Sequence, residues 1–138
     1  MLRHAIITSL SAFVLLMSAS AVKATDFDGS RALLMAVIDI IECHPGGVCE
    51  EVTPQEARLP RFLEIDFDKK EISEVGDNQD ERRTAIQNIT KGEGVLILQG
   101  AQNGRGWSLT ISEASGDAVA AISDPLSGFV LFGACTPR

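Results

Sequence analysis

Residues 104–122 decide the fold, and they have the sequence GRGWSLTISEASGDAVAAI. Apolar Trp107, Leu109 and Ile111 alternate with hydroxyl residues, which is the period of a β-strand with one buried face. A glycine-containing connection follows, and residues 118–122 return as a second strand. The stretch therefore predicts a β-hairpin whose connection contains a glycine with positive φ.

The same alternation continues on both sides of this hairpin. Residues 62–68 predict a strand with one apolar and one acidic face, formed by Leu63, Ile65 and Phe67 and by Glu64, Asp66 and Asp68. Further strands are predicted at 71–75, 83–90, 95–99 and 129–132, with turns at 69–70, 91–94, 102–106 and 124–128 and a polar loop at 76–82. Because short connections join antiparallel neighbours, residues 61–135 predict a meander of about seven strands. Two of these strands, 95–98 and 129–132, are apolar on both faces, so we expect cover on each side of them.

Residues 32–43 fit two structures. Leu34, Val37, Ile38 and Ile41 have helical spacing, but β-branched residues dominate the centre of the segment and favour a strand. We expect a strand, paired through a turn with residues 48–53, and a short helical turn after Thr53; a helix is the alternative. With this hairpin the sheet is large enough to curl or close, so the predicted fold is all-β, a small barrel or a strongly curled sheet.

The chain begins with the features of an export signal. Residues 1–24 have a basic start, an apolar stretch from Ala5 to Met17 and small residues before Ala24, which together predict a bacterial secretory signal peptide. A single β domain, residues 25–138, is expected to remain, with no stable membrane insertion once the signal is removed. The periplasm is the predicted compartment, and secretion beyond it is the alternative.

The charge of this domain excludes two classes of partner. Arg3 and Lys23 leave with the signal, so 10 of the 12 basic residues remain against all 19 acidic ones, a net charge of −9. Nucleic-acid binding requires clustered basic residues, and anionic membrane surfaces repel such a domain. A homodimer or a protein of the cell envelope is the expected class of macromolecular partner.

The three cysteines predict one local disulfide. Cys43 and Cys49 flank a turn-rich segment, and thiols pair in an oxidising compartment. Cys135 is then left buried or available for an intermolecular bridge; the alternative is that it pairs with Cys43 or Cys49. A metal site at Cys43, His44 and Cys49 competes with the disulfide, but structural zinc has four ligands. We therefore predict no metal and no other cofactor.

Catalytic residues are not evident in the domain. His44 is its single histidine, and the chain has no nucleophile elbow of the G-x-S-x-G type. Glu64, Asp66 and Asp68 form an acidic strand face that is normally the solvated side of a sheet, so a hydrolase that uses them is only a third hypothesis. We expect a protein that is not an enzyme.

A ligand pocket is the best functional candidate. Ligand cavities are lined by apolar and aromatic side chains with a few polar groups, and the single tryptophan offers such a place. We therefore predict a binding site near Trp107 with Arg105 at its mouth. The leading hypothesis is a non-catalytic periplasmic protein that binds a small apolar ligand or an envelope partner. A structural or interaction module is the alternative.

Four segments resemble a family of uncharacterised small exported proteobacterial proteins. They are Leu59–Phe67, Leu98–Gly100, Gly104–Ile111 and Gly128–Thr136, and the resemblance extends over most of the chain from Leu59 onward. It implies an exported β domain, and it implies no activity and no site residues.

Overall fold

The computed structural model of the protein describes residues 26–76 and 82–138. The predicted signal peptide lies outside the described residues, as do residues 77–81 of the predicted polar loop. The described part contains these elements: β1 (Leu33–His44), β2 (Val48–Val52), α1 (Pro54–Ala57), β3 (Phe62–Asp66), β4 (Glu71–Glu74), β5 (Arg83–Ala85), β6 (Asn88–Gly92), β7 (Val95–Gln102), β8 (Arg105–Ser112), β9 (Asp117–Ser123) and β10 (Gly128–Pro137). Among these residues, no helix has the length and apolar character needed to cross a membrane.

The strands form one antiparallel sheet. Its order is β5-β4-β3-β1-β10-β9-β8-β7-β6, with β2 pairing with β1 beside this path. The sheet curls on itself into a half-barrel with one concave inner face. The prediction of an all-β fold built from a strongly curled antiparallel sheet is therefore confirmed.

Strand β1 is the central element of the sheet. Its first half pairs with β3, its second half with β2, and its whole length with β10. Leu33, Met35 and Val37 are buried on the inner face, and an irregularity between Val37 and Asp39 moves the next buried side chain to Ile40. The strand prediction for residues 32–43 is confirmed, since period two and not helical spacing decides which residues are buried. The helical turn after Thr53 is also confirmed, with Thr53 as its N-terminal cap.

The single strand predicted at residues 83–90 is wrong. The segment forms two strands, β5 and β6, separated by Ile86 and Gln87, so residues 61–135 contain eight strands. β5 lies at one edge of the sheet and β6 at the other, and the chain passes between the edges where the curl brings them together. The Gln87 N–H donates to the Gln99 carbonyl (2.9 Å), and Ile86 is buried in the core.

The glycine-rich turn predicted at residues 102–106 is shorter in the structure. Only Asn103 and Gly104 form it, and both have positive φ, 52° and 76°. Two residues with positive φ match the twist of the strands that they join. Arg105 and Gly106 consequently belong to β8, which extends that strand by two residues toward the turn.

The inner face of the half-barrel carries the core. Its buried strand residues are Leu33, Met35, Val37, Ile40, Ile65, Ile72, Leu96, Leu98, Leu109, Ile111, Ala118, Ala120, Phe129, Leu131 and Cys135. At one end, where β1 begins and β10 ends, Phe27 and Phe67 pack against this core. Phe27 lies so close to Gly116 that a Cβ at this position would be 2.6 Å from its ring. We call this the Phe27 end, and β8 begins at the opposite end.

The outer face is less covered than the sequence predicts. Phe132 on β10 is 44% exposed, and Ile38 and Val119 beside it are 62% and 42% exposed. Val95 and Ile97 are half-buried. The expectation that both faces of the two apolar strands are covered is therefore wrong for Phe132, and it leaves an apolar patch on the convex side.

Candidate functional site

A cavity of about 540 Å³ lies at the end opposite Phe27, the open end of the half-barrel. We call it the open-end cavity, and it is lined by Met35, Arg58, Leu59, Pro60, Leu63, Ile72, Arg82, Arg83, Thr84, Gln102, Asn103, Arg105, Trp107, Leu109, Ala120, Ile122 and Leu131. Sites for small molecules have volumes of roughly 300–1,000 Å³, so this cavity has the size of a ligand site.

The floor of the cavity is apolar because it continues the inner face of the sheet. Met35, Leu109 and Leu131 are core residues of three strands, and each also borders the cavity. Ala120 lies between Leu109 and Leu131 in the register of β8, β9 and β10. Since its side chain is only a methyl group, it leaves space open where a larger residue would fill the layer.

Trp107, the predicted ligand-binding residue, lies in the wall of the cavity, and its role in binding stays a prediction. It is half-buried, and its indole Nε1 donates a hydrogen bond to Thr84 Oγ1 (3.0 Å). The ring lies across the backbone of Gly100, its partner on β7. Trp107 therefore connects β8 to β5 across the gap between the two ends of the curled sheet.

Arg105 lies at the rim of the same cavity, two residues before Trp107. Its Nε is 3.4 Å from Asp124 Oδ2, and its guanidinium is 5.6 Å from the centroid of the Phe129 ring. Asp124 is itself fixed, because its Oδ1 accepts hydrogen bonds from the backbone N–H groups of Leu126 and Ser127, both 2.8 Å. These bonds, that from Leu126 first, lower the pKa of Asp124 and keep it charged beside Arg105.

Three further arginines line the cavity, and the sequence did not reveal them. Arg58 follows α1, Arg82 directly precedes β5, and Arg83 is the first residue of β5. They are distant in sequence from Arg105, and only the curl of the sheet brings the segments together. One sequence signal for a polar cavity wall was available. Thr84 lies two residues before the buried Ile86, which indicates a polar side chain on the inner face.

The acidic strand face does not take part in this site. Glu64 forms an ion pair with Arg138, and Asp66 accepts a hydrogen bond from the Lys69 N–H (2.9 Å). The Lys69 bond is the main cause of a lowered pKa at Asp66, whereas a general acid requires a raised one. These carboxylates stabilise a turn and the end of β10, and none of them lines the cavity.

The predicted disulfide is confirmed. Cys43 and Cys49 are directly opposed on β1 and β2 and are bonded to each other. The alternative pairings of Cys135 are consequently wrong, and the bond occupies both thiols of the alternative metal site with His44. Cys135 is buried and 4% exposed, which leaves no access for an intermolecular bridge.

The site as a whole combines an apolar floor, one aromatic wall and a rim rich in guanidinium groups. Among the described residues, no cluster of three or more histidine, cysteine or carboxylate side chains is placed to hold a metal ion. Such an arrangement can hold a molecule by shape and charge. Comparison of the chain with protein-family models, with curated proteins and with solved structures gave no match.

Proposed function

We propose that this protein is a non-catalytic binding protein that holds a small apolar ligand in the open-end cavity. The observation that carries the proposal is an apolar cavity of about 540 Å³ whose floor is made of core residues. Apolar surface of this kind is normally covered in a folded domain. A ligand with an apolar body completes the packing that Ala120 leaves unfinished.

The difference between the two ends of the half-barrel supports entry of the ligand through the open end. Phe27 and Phe67 pack against the core at the Phe27 end, whereas the open end is bordered by polar residues at the turn between β7 and β8. A ligand enters beside Trp107 and places its apolar part against Leu109 and Leu131.

We propose the periplasm as the compartment, with secretion beyond it as the alternative. The Cys43–Cys49 disulfide supports export, because disulfides persist in oxidising compartments and are rare in the cytosol. The composition of residues 1–24 supports the same conclusion.

A pair of neighbouring substitutions tests the binding function. Ala120→Leu fills the cavity from β9, while Ala121→Leu adds the same atoms on the exposed outer face of the same strand. The measurement is native mass spectrometry of each protein purified from the periplasm, compared with its denatured mass. We expect the parent and Ala121→Leu to retain extra mass that denaturation removes, and Ala120→Leu to lose it.

Two results would contradict the proposal. A parent protein without retained mass, which also gives no change in Trp107 fluorescence with any apolar probe, is not a carrier. Equal retention by Ala120→Leu and the parent would place the ligand elsewhere.

The outer apolar patch favours a second candidate, an interaction module of the envelope. Ile38, Val119 and Phe132 are exposed together on the convex face. A contiguous exposed apolar surface is typical of a protein contact. The same native spectrum reads this candidate directly, because a homodimer has twice the mass of the single chain.

A further inference from the structure

We propose that the ligand is an organic acid, with an apolar body inside the open-end cavity and an acidic group held by arginines at its rim. This inference rests on the proposed binding function and names the chemical class of its ligand.

The first observation is the distribution of charge. The chain has 19 acidic residues and 12 basic ones, yet four of the seven arginines in the described part of the chain line this one cavity. No aspartate or glutamate among the described residues lines it. A protein that is acidic overall therefore presents a basic rim at the entrance to its apolar cavity.

The second observation is the balance of ion pairs at this rim. Arg82 Nε lies 3.4 Å from Glu74 Oε2, and Arg105 Nε lies 3.4 Å from Asp124 Oδ2. Each of these two cations therefore forms an ion pair with a carboxylate of the protein. Arg83 lies 3.8 Å from Glu71. Three of the four guanidinium groups therefore have a described carboxylate oxygen within 4 Å.

The fourth guanidinium group belongs to Arg58, which forms no ion pair with a residue that the structure describes. The backbone from which this side chain extends is held in place by the end of α1. Arg58 is the C-terminal cap of α1, its φ is 54°, and its N–H donates to the Pro54 and Gln55 carbonyls. The side chain thus begins from a rigid point beside Leu59 and Pro60, which also line the cavity.

The third observation is the chemistry of the rim. A guanidinium group presents N–H donors in a planar fork that matches a carboxylate or a phosphate, and hydrogen bonds between charged groups are the stronger kind. The side chains of Gln102 and Asn103 add amide donors at the same rim. An acidic group is therefore satisfied there while its apolar body stays in contact with the floor.

Trp107 provides the measurement. It is the single tryptophan of a chain without tyrosine, and it lies in the cavity wall, so its fluorescence reports occupancy of the cavity directly. The probes are laurate, dodecyl phosphate and dodecanol, which share one alkyl chain and differ in the head group. Each is titrated below the concentration at which it forms micelles.

We expect both acids to bind at least about tenfold more tightly than dodecanol, because hydrogen bonds to charged groups are the stronger kind. The order of laurate and dodecyl phosphate identifies the acidic group as a carboxylate or a phosphate. Added salt is expected to lower the affinity for the two acids and to leave the affinity for dodecanol unchanged.

Matched variants assign the effect to the rim. Arg58→Gln removes the unpaired charge, and Arg61→Gln removes the same charge from an exposed position three residues away that does not line the cavity. We expect Arg58→Gln to lower the affinity for laurate about tenfold, with no change for dodecanol. Arg61→Gln leaves both affinities unchanged.

The two proposals fail in different ways. If dodecanol binds as tightly as laurate, or if Arg58→Gln and Arg61→Gln behave alike, the inference about the acid is overturned while the binding function stands. If none of the three probes changes Trp107 fluorescence and the parent also retains no extra mass in the native spectrum, the binding function falls, and the inference falls with it.

Discussion

Gly100 shows how a single residue fixes the geometry of the cavity wall. The Trp107 indole lies across its backbone, and a Cβ at this position would also lie 2.5 Å from the Ala85 carbonyl oxygen. Three strands therefore meet at one glycine: its own strand β7, β5 through Ala85, and β8 through Trp107. No positive φ is involved, so close packing alone requires a residue without a side chain here.

Gly100→Ala is expected to destabilise the domain by about 1–3 kcal/mol, the usual cost of forcing atoms into a packed interior. Gly106→Ala is the matched control, because a Cβ at that position on β8 meets nothing within 4 Å. Urea denaturation of the two variants and the parent measures the difference. Equal stabilities for Gly100→Ala and Gly106→Ala would show that the indole does not lie against Gly100.

Cys135 is the second residue whose surroundings decide its chemistry. Burial raises the pKa of its thiol from the ordinary 9.0 to about 11. We expect the folded protein to react with a disulfide reagent at pH 8 far more slowly than the unfolded protein, since the thiolate is the nucleophile. Rapid labelling of the native protein would contradict the burial.

The same shift predicts how stability depends on pH. Between pH 9 and pH 11 the unfolded chain loses the thiol proton and the folded chain keeps it, so the free energy of unfolding falls as the pH rises through this range. A Cys135→Ala variant titrates all the same groups except this thiol. Its loss of stability over that range is expected to be smaller than that of the parent, measured by urea denaturation at each pH.

At the scale of elements, β2 lies beside the main path of the sheet, attached to the second half of β1. β2 pairs only with β1, and four of its five residues are exposed. The disulfide joins the two strands across a sequence separation of six. Because so little of β2 is buried, the bond and the strand pairing hold it in place.

The double variant Cys43→Ser/Cys49→Ser is expected to have a free energy of unfolding about 2 kcal/mol lower than the parent. The loss is modest because the disulfide closes a short loop and therefore removes limited conformational entropy from the unfolded chain. The parent treated with a reducing agent serves as the control and should show the same loss. Denaturation in urea measures both. A variant as stable as the oxidised parent would show that strand pairing alone secures the hairpin.

Some elements could be predicted from the sequence and others could not, for a physical reason. Apolar and polar residues alternate along β3 and β8 because each strand has one face toward the core and one toward solvent. That pattern is visible within a single segment of sequence. The break at Ile86 was not visible, because no glycine or proline marks it. It exists because the chain moves there between two edges of the sheet, which is a property of the closed curl.

At the scale of the whole molecule, the same distinction applies to the candidate site. Trp107 and Arg105 could be found because they are neighbours on one strand, at the start of the clearest hairpin. Arg58 and Arg82 belong to the same rim, but they arrive from other parts of the chain, and only the three-dimensional curl places them there. The basic rim of an acidic protein is therefore a tertiary feature.

The gap between β5 and β7 has a consequence for the size of ligand that the proposed binding function would allow. Elsewhere the circumference of the half-barrel is set by continuous ladders of backbone hydrogen bonds between neighbouring strands. Here it is bridged by the bond from Gln87 to Gln99 and by that from Trp107 to Thr84. Widening the half-barrel at this seam costs a few hydrogen bonds and not a whole ladder. If the proposed binding function holds, ligands of different breadth are therefore expected to be accommodated at this seam, with the ladders of the sheet intact.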